Sequence, residues 1–512
     1  NAALGTSFRR WWHSQIANFA PTGATLVVTV NNAGYTDVIL PVWSLSTDGV
    51  NFGDYQRLPT SAVPTQPSGS SHRFTVNVPA GTAAIRLAKY FPYTTARKNT
   101  WLQSIASHPR LRTVQTLGYS VQGRPIEMLE FTDTSVADAG KRRIWIHAGI
   151  HPSESTSYFT VEGLVQWFAS GDPLAEILLD RAIVDIVPMA NPDGVFLGNY
   201  RTNANSSNLE NEWAAPYNTS QPEVAALRTK IEQLMGTATA PASNPIDLLL
   251  NLHSSHNVAY PFHFRHTANA GWNPTTNNSG VLPIVNQIET QWINAFEQRS
   301  AFVNLGTTQS SSAGAPSRPF VESMMHDRWS ALSTWTGAPS FQDPVMAITF
   351  EGTYGMGPNG QWNTEADYRG VGVAMGQAMA DYFGLQPTAS VTSYGAPCAS
   401  LGLVGSVQRL ANFSHQVNLV SAGGPANGLA AFVFGFQAAL VPLPAPFANC
   451  WLQNTGDVVA YQLLDPLGFG AANFVLPVAA GLEVRAQVVS LAVGGSQATV
   501  DASNGVWVKN NY

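Results

Sequence analysis

The chain has 512 residues, which is too long for one ordinary hydrophobic core and indicates two to four domains. Hydrophobic residues make up 45% of the sequence and aromatic residues 10%, which is typical of a globular protein. Only 11% of the residues are charged, the net charge is −6 and no basic run occurs, so a nucleic-acid partner is excluded. No apolar run reaches the roughly 18 residues that a membrane span needs, so we expect none.

The first residues of the sequence and its two cysteines indicate the cellular compartment. The sequence begins at Asn1 without Met, and the basic segment at residues 8–10 leads into no apolar region, so we expect a mature chain without a signal peptide. Cys398 and Cys450 leave two alternatives open, a disulfide or two buried free thiols. The low lysine content and the even cysteine number favour the disulfide, and with it a secreted, extracellular bacterial protein.

The first zone, residues 1–97, carries strand patterns separated by turns rich in Asn, Asp, Pro and Gly. The predicted strands are residues 26–30, 38–43 and 74–78. We predict an N-terminal all-β sandwich domain, in which the tryptophans pack in the core rather than form a sugar platform.

The second zone, residues 98–386, alternates strand patterns with helical ones. The predicted strands are residues 143–147, 182–187, 246–252 and 345–350, and the predicted helices include residues 161–168, 222–235, 282–298 and 365–383. This alternation predicts an α/β catalytic domain with a mainly parallel mixed sheet flanked by helices. In such a sheet the active site lies beyond the carboxyl ends of the strands.

The third zone, residues 387–512, returns to strand patterns alone after a linker at residues 386–388. The clearest strand patterns are residues 431–436, 474–476 and 482–488. No cluster of catalytic residue types occurs there, so we predict a C-terminal β-sandwich accessory domain.

Three candidate metal ligands follow two of the predicted strands. His151 and Glu154 are one helical turn apart in a segment that leads from a strand into a helix, so both side chains can reach one ion. His253 directly follows the strand at residues 246–252 and can supply a third ligand. Two nitrogens and one carboxylate leave a fourth position open, which is typical of catalytic zinc.

Hydrolysis also needs a proton carrier and a positive donor. Glu351 directly follows the apolar strand at residues 345–350, where a buried carboxylate is costly without a function. It can take a proton from the attacking water and pass it to the leaving amine. Arg201 is the candidate that stabilises the developing oxyanion.

The order of these motifs resembles the zinc metallocarboxypeptidases, most closely the cytosolic-carboxypeptidase-like branch. The resemblance covers residues 1 to about 385. It rests on His-x-x-Glu at 151–154, Asn-Pro-Asp-Gly at 191–194, Arg-x-Asn at 201–203, Asn-Leu-x-x-x-Trp at 208–213, His-Ser-x-His at 253–256 and Phe-Glu at 350–351.

The resemblance implies one Zn²⁺ per chain, bound by His151, Glu154 and His253. It also implies that Glu351 is the general base and that Arg201 polarises the scissile carbonyl. The neighbouring histidines His147, His256 and His263 are interpreted as supports of the ligands or as core residues.

One departure from the family pattern concerns the substrate. Members of the branch read Asn-Leu-Asn-Arg-Glu-Trp where this chain has Asn-Leu-Glu-Asn-Glu-Trp at 208–213, so Glu210 and Asn211 replace the pair that holds the terminal carboxylate. Glu210 would repel a carboxylate, and Asn211 lacks the guanidinium fork. Either another arginine compensates, for which Arg265 and Arg318 are candidates, or free C-termini are not preferred. In the second case the leaving group is an internal amide, an amine, a cation or a blocked terminus.

We therefore predict a zinc-dependent hydrolase of peptide or amide bonds with a peptide or amide-containing substrate, and the flanking β domains favour a polymeric one. Tyr354 is our candidate for the tyrosine that the wider family keeps near the leaving group. Two other functions stay open: a zinc deacylase or amidase that acts on small amides or esters, and a catalytically silent zinc-containing binding protein. The presence of Glu351 and Arg201 argues against the silent protein.

Overall fold

The computed structural model describes residues 9–237, 240, 242–255, 261–270, 280–301, 308–311, 320–330, 345–386, 388–410, 414–443, 450–477, 482–494 and 497–511. The chain divides into two units, Asn1–Phe383 and Gly384–Tyr512. The three domain ranges given above stay predictions.

The first unit begins with antiparallel sheets. Their strands are β1 (His13–Ala17), β2 (Ala24–Val30), β3 (Val42–Ser46), β4 (Gln56–Arg57), β5 (Thr65–Ser68), β6 (Ser71–Val78) and β7 (Ala84–Ala88). They form one sheet in the order β1-β7-β3-β4 and another in the order β2-β6-β5. Buried side chains alternate along β6 and pack with those of β7, which joins the two sheets through one core.

A mixed eight-stranded sheet follows. Its strands are β8 (Leu111–Tyr119), β9 (Pro125–Phe131), β10 (Arg142–Ala148), β11 (Ala182–Val187), β12 (Ile246–Ser255), β13 (Phe262–His266), β14 (Thr308–Ser311) and β15 (Met346–Thr353). Their order in the sheet is β14-β13-β15-β12-β10-β11-β9-β8. The central pairs are parallel, whereas β8, β9 and β13 join antiparallel neighbours. The predicted α/β class with a mixed sheet is confirmed.

Helices flank this sheet. They are α1 (Thr95–Ser104), α2 (Thr156–Phe168), α3 (Pro173–Arg181), α4 (Pro192–Leu197), α5 (Pro222–Met235), α6 (Pro283–Arg299), α7 (Val321–Met325) and α8 (Glu365–Tyr382). Thr364 and Asp367 form a capping box that fixes the start of α8. Among the helices in the described ranges, none has the length and apolar character that a membrane crossing requires.

The sheet order positions the site. β10, β12 and β15 are neighbours and run parallel, so their carboxyl ends lie at one edge. β12 and β15 each extend beyond the predicted strand, and His253 and Glu351 therefore lie within the strands as direct partners. The segment after β10 delivers the other two predicted ligands to the same edge.

The second unit consists of antiparallel strands, and its described residues form no helix. The strands are β16 (Thr388–Tyr394), β17 (Gly402–Arg409), β18 (His415–Ala422), β19 (Leu429–Gly435), β20 (Ala438–Pro442), β21 (Trp451–Asn454), β22 (Val458–Leu463), β23 (Gly470–Leu476), β24 (Glu483–Gly494), β25 (Gln497–Ala502) and β26 (Gly505–Asn511). Side chains from both main sheets share one apolar core. The predicted disulfide is present between Cys398 and Cys450, whose Cα atoms are 5.3 Å apart.

Candidate metal centre

Two imidazoles and one carboxylate converge at the carboxyl edge of the central strands. The Nδ1 atoms of His151 and His253 are 3.0 Å apart. Glu154 Oε1 lies 2.9 Å from His151 Nδ1, and Glu154 Oε2 lies 2.7 Å from His253 Nδ1. All three side chains are buried, and their ligand atoms lie within 4.8 Å of one another. The three residues form a possible metal site.

The donor set fits zinc. Both imidazoles direct the same nitrogen at one point, and the carboxylate directs both oxygens there. Hydrogen bonds alone satisfy such an arrangement poorly, because each neutral imidazole offers only one donor. A cation at this point would satisfy all three groups, and two nitrogens with one carboxylate form the ligand set of catalytic zinc sites.

The opposite ring nitrogen of each histidine contacts a neighbour, through a hydrogen bond at His151 and an ion-pair contact at His253. His151 Nε2 lies 2.9 Å from Asn208 Oδ1, and His253 Nε2 lies 3.3 Å from Glu210 Oε2. Such partners fix the ring orientation and raise the basicity of the ligating nitrogen. Glu210, predicted only as a substrate-pocket residue, therefore also contacts a metal ligand.

The loop that carries His151 and Glu154 is held from several sides. Asn191 donates to the Ile150 carbonyl at 3.1 Å and accepts from the Gly194 amide at 2.9 Å. Ser153 Oγ donates to the Tyr200 carbonyl at 2.9 Å. The Asn-Pro-Asp-Gly motif thus has a structural role, in which its asparagine caps α4 and secures the metal loop.

Glu351 lies beside the metal site and faces the cavity next to it. It is the direct strand partner of His253. Burial, and then the neighbouring carboxylate of Glu154, raises the pKa of Glu351 to about 8. A divalent cation held by the three ligands would oppose this shift, because it favours the ionised carboxylate.

The Arg201 guanidinium approaches from another side. Its Nη1 atom lies 3.9 Å from Glu154 Oε1, and 35% of its side chain is exposed. It also lines the cavity, so a carbonyl oxygen near the ligands would lie within its reach.

A cavity of about 400 Å³ adjoins the three ligands. Its lining also includes Arg10, Tyr200, Arg201, Glu210, Ser254, Ser255, Phe262, Phe264, Phe320, Glu322, Thr349 and Glu351. Glu210 lines this cavity, and its role in substrate binding stays a prediction. Asn211 is exposed and does not line the cavity.

Two further predicted pocket residues lie elsewhere. The Arg265 guanidinium donates to Asn286 Oδ1 at 3.3 Å, on a helix, and does not line the cavity. Tyr354 has no exposed surface, because its ring stacks on Tyr90 with centroids 3.8 Å apart. Neither residue lines the described cavity, and their assignment to the substrate pocket stays a prediction. Arg318 lies outside the described residues.

The neighbouring histidines do not join the ligand group. His147 is buried and accepts a hydrogen bond from Trp145 Nε1 at 3.0 Å. His263 packs against the Phe350 ring. Burial lowers the pKa of both histidines to about 3, which keeps their rings neutral. His256 lies outside the described residues.

Sequence reasoning missed Asn251 and Thr349, although a signal existed. Each is a polar residue inside an apolar strand, two positions before His253 and Glu351 respectively. Residues i and i+2 of a strand share a face, so both side chains point to the site edge. Asn251 Nδ2 donates to Thr349 Oγ1 at 3.1 Å.

Glu322 and Arg10 were also missed, and no local pattern marks them. Glu322 belongs to the five-residue helix α7, and Arg10 precedes the first strand. Both line the cavity only because tertiary packing brings distant segments to the sheet edge.

Comparisons with known proteins agree with this geometry. A family model described as zinc carboxypeptidase matches residues 99–211. Cytosolic carboxypeptidase 6 of Mus musculus is 32% identical over 149 residues, which cover 28% of this chain and 28% of that relative. The Caenorhabditis elegans cytosolic carboxypeptidase 6 is 31% identical over 170 residues, which cover 32% and 36%. A metallo-carboxypeptidase structure from Burkholderia cenocepacia aligns with a TM-score of 0.56 at 25% identity, and covers 73% of this chain and 91% of that one.

The fold and the possible metal site are similar to those of zinc carboxypeptidases. Residues 99–211 match the zinc carboxypeptidase family model, and the structure is similar to a metallo-carboxypeptidase, in agreement with the resemblance that the motifs predicted. The match spans about a third of the length of the curated relatives.

The predicted location is wrong. The curated relatives are cytosolic carboxypeptidases by name, which contradicts the expectation of a secreted, extracellular protein.

Proposed function

We propose that this chain is a zinc-dependent hydrolase of peptide or amide bonds, with Glu351 as the general base. The observation that carries the proposal is the convergence of the three ligands, the Glu351 carboxylate and the Arg201 guanidinium on a single cavity. A zinc-binding protein without activity has no need of the last two groups.

Zinc, Glu351 and Arg201 have separate roles in the proposed reaction. The chemistry that zinc supplies when bound is Lewis-acid polarisation of the scissile carbonyl and a lowered pKa of the attacking water. Glu351 accepts a proton from that water and returns it to the leaving amine. Arg201 donates hydrogen bonds to the carbonyl oxygen as negative charge develops on it.

The leaving side of the cavity supports a substrate without a free α-carboxylate. Glu210 is buried at the position where the resemblance expects a carboxylate-binding asparagine, and Asn211 offers neither a charge nor a place in the cavity wall. Neither arginine proposed as compensation lies in the described cavity wall. Arg10 does line the cavity, and it carries the rival hypothesis that free C-termini are bound.

The test uses peptide pairs that differ only in a free or an amidated C-terminus. We expect the zinc-loaded chain to cleave the amidated member faster, by about one to two decades, because the free member loses a charge-assisted bond and faces Glu210. A chelated sample and the Glu351→Gln variant serve as blanks. Faster cleavage of the free acid, abolished in Arg10→Gln, would establish the rival hypothesis.

The same assay addresses the remaining alternatives. Cleavage of small acyl amides or esters without cleavage of either peptide would identify a deacylase. Stoichiometric zinc with no turnover of any of these compounds would identify a binding protein.

A further inference from the structure

The cavity has an inner wall whose carboxylate the proposed reaction does not use. Glu322 lines the cavity, yet only 4% of the residue is exposed. Its Oε1 atom accepts a hydrogen bond from Thr349 Oγ1. Its Oε2 atom has no hydrogen-bond partner in the described structure. A buried carboxylate oxygen without a partner is costly and indicates a ligand that completes it.

Glu322 is connected to the second carboxylate of the cavity. The Asn251 amide donates to Thr349 Oγ1 at 3.1 Å and to Glu210 Oε1 at 3.0 Å. Glu210 in turn lies 3.3 Å from the metal ligand His253. Hydrogen bonds through Asn251 and Thr349 therefore connect the two carboxylates, and Glu210 is also in ion-pair contact with the metal-site residue His253.

No lysine or arginine neutralises this pair within the described structure. Among the described residues, Glu210 forms its ion pair with the His253 ring. Burial, and then the nearby Glu210, raises the pKa of Glu322. Each of these influences disfavours the ionised form and would be relieved by a positive charge between the carboxylates.

Three aromatic side chains line the same cavity: Phe262, Phe264 and Phe320. An aliphatic stem can pack on such rings while its charged end reaches a carboxylate, and aromatic faces also attract cations. The two carboxylates and the three rings are therefore complementary to a long side chain with a positive end.

We propose that the Glu322–Glu210 wall binds a positively charged ammonium or guanidinium group, carried on an apolar stem, on the leaving side of the scissile bond. This inference rests on the proposed function for the identity of the leaving side. Glu322 is the anchor that sets specificity, and Asn251 and Thr349 are positioning residues.

The experiment measures binding of product-like probes to the zinc-loaded full chain by titration calorimetry. Lysinamide and argininamide carry a cation at the end of the side chain, whereas norleucinamide has the same α-ammonium group and the same stem length as lysinamide but no side-chain cation. We expect at least one cationic probe to bind about tenfold or more tightly than norleucinamide. Glu322→Gln should abolish this preference and leave norleucinamide binding unchanged, whereas Glu297→Gln, outside the cavity wall, should preserve it.

Equal binding of the three probes to the wild-type protein would overturn the inference, and so would a preference that survives Glu322→Gln. If the variant does not fold, the wild-type comparison alone decides. Because binding requires no turnover, this result is independent of the peptide assay. A chain that binds cations but cleaves no amide would refute the proposed function alone.

Discussion

At the scale of single residues, each metal-binding histidine uses Nδ1 toward the common point and keeps Nε2 for a neighbour. Removal of either ring leaves two of three ligands, which is insufficient for a stable catalytic site. We expect His151→Ala and His253→Ala to lose stoichiometric zinc, measured by atomic absorption after dialysis against a weak chelator. The exposed His13 provides the control, and His13→Ala should retain one zinc per chain. Full occupancy in both ligand variants would show that the ligand set is wrong.

Glu351 offers a test that separates binding from chemistry. Its side chain faces the cavity without belonging to the ligand group. We expect Glu351→Gln to retain zinc and to lose turnover by about two to four decades, because the amide cannot carry the proton. Peptide hydrolysis and zinc content would be measured on the same preparation. Near-normal turnover at full zinc content would remove Glu351 from the mechanism.

Some residues of the candidate site could be predicted from the sequence and others could not. His151 and Glu154 were predictable because one helical turn separates them, and His253 because it follows an apolar strand. Glu210 was predictable as a departure within a motif, but its contact with His253 was not, since two distant segments create it. Glu322 could not be predicted at all, because only tertiary packing places α7 beside the cavity.

At the scale of elements, α2, which follows the loop with His151 and Glu154, packs closely against α8. A Cβ atom at Gly372 would lie 2.0 Å from the Thr160 carbonyl oxygen on α2. The backbone there cannot yield without moving the helix that follows Glu154. We expect Gly372→Ala to destabilise the protein by about 1–3 kcal/mol in denaturant unfolding, and to weaken zinc binding as well.

A matched control lies two residues earlier in the same helix. Gly370 is exposed, and a Cβ atom there would meet nothing within 4 Å. Gly370→Ala should therefore stabilise α8 by about 0.5–1 kcal/mol through reduced backbone entropy. Equal effects of the two alanine substitutions would show that helix contact does not distinguish them.

Elements with strong local signals were predictable. α5 spans the predicted residues 222–235, because Pro222 stands in its first turn and Gly236 follows its end. The strand predicted at 38–43 instead begins at Val42. Pro41 has no amide hydrogen to donate to a ladder, and this outweighed the apolar pattern around it.

At the scale of the whole molecule, each unit has its own buried core, and each has one stabilising device. The metal site lies in the first unit and the disulfide in the second. Sequence composition predicted the change from alternating elements to strands alone near residue 387. The cellular compartment could not be inferred from composition, because composition contains no targeting signal.

The two devices predict separable effects on thermal unfolding. Zinc binds only the folded first unit, so it stabilises that unit by mass action. The disulfide spans 52 residues, and its loss should cost the second unit up to roughly 4 kcal/mol by loop-closure entropy. In scanning calorimetry, a chelator should lower one transition, and Cys398→Ser with Cys450→Ser should lower another. Because the cysteines lie outside the metal site, the double variant should keep its zinc and its rate of amide hydrolysis. A single transition that both treatments shift equally would show instead that the two units unfold as one.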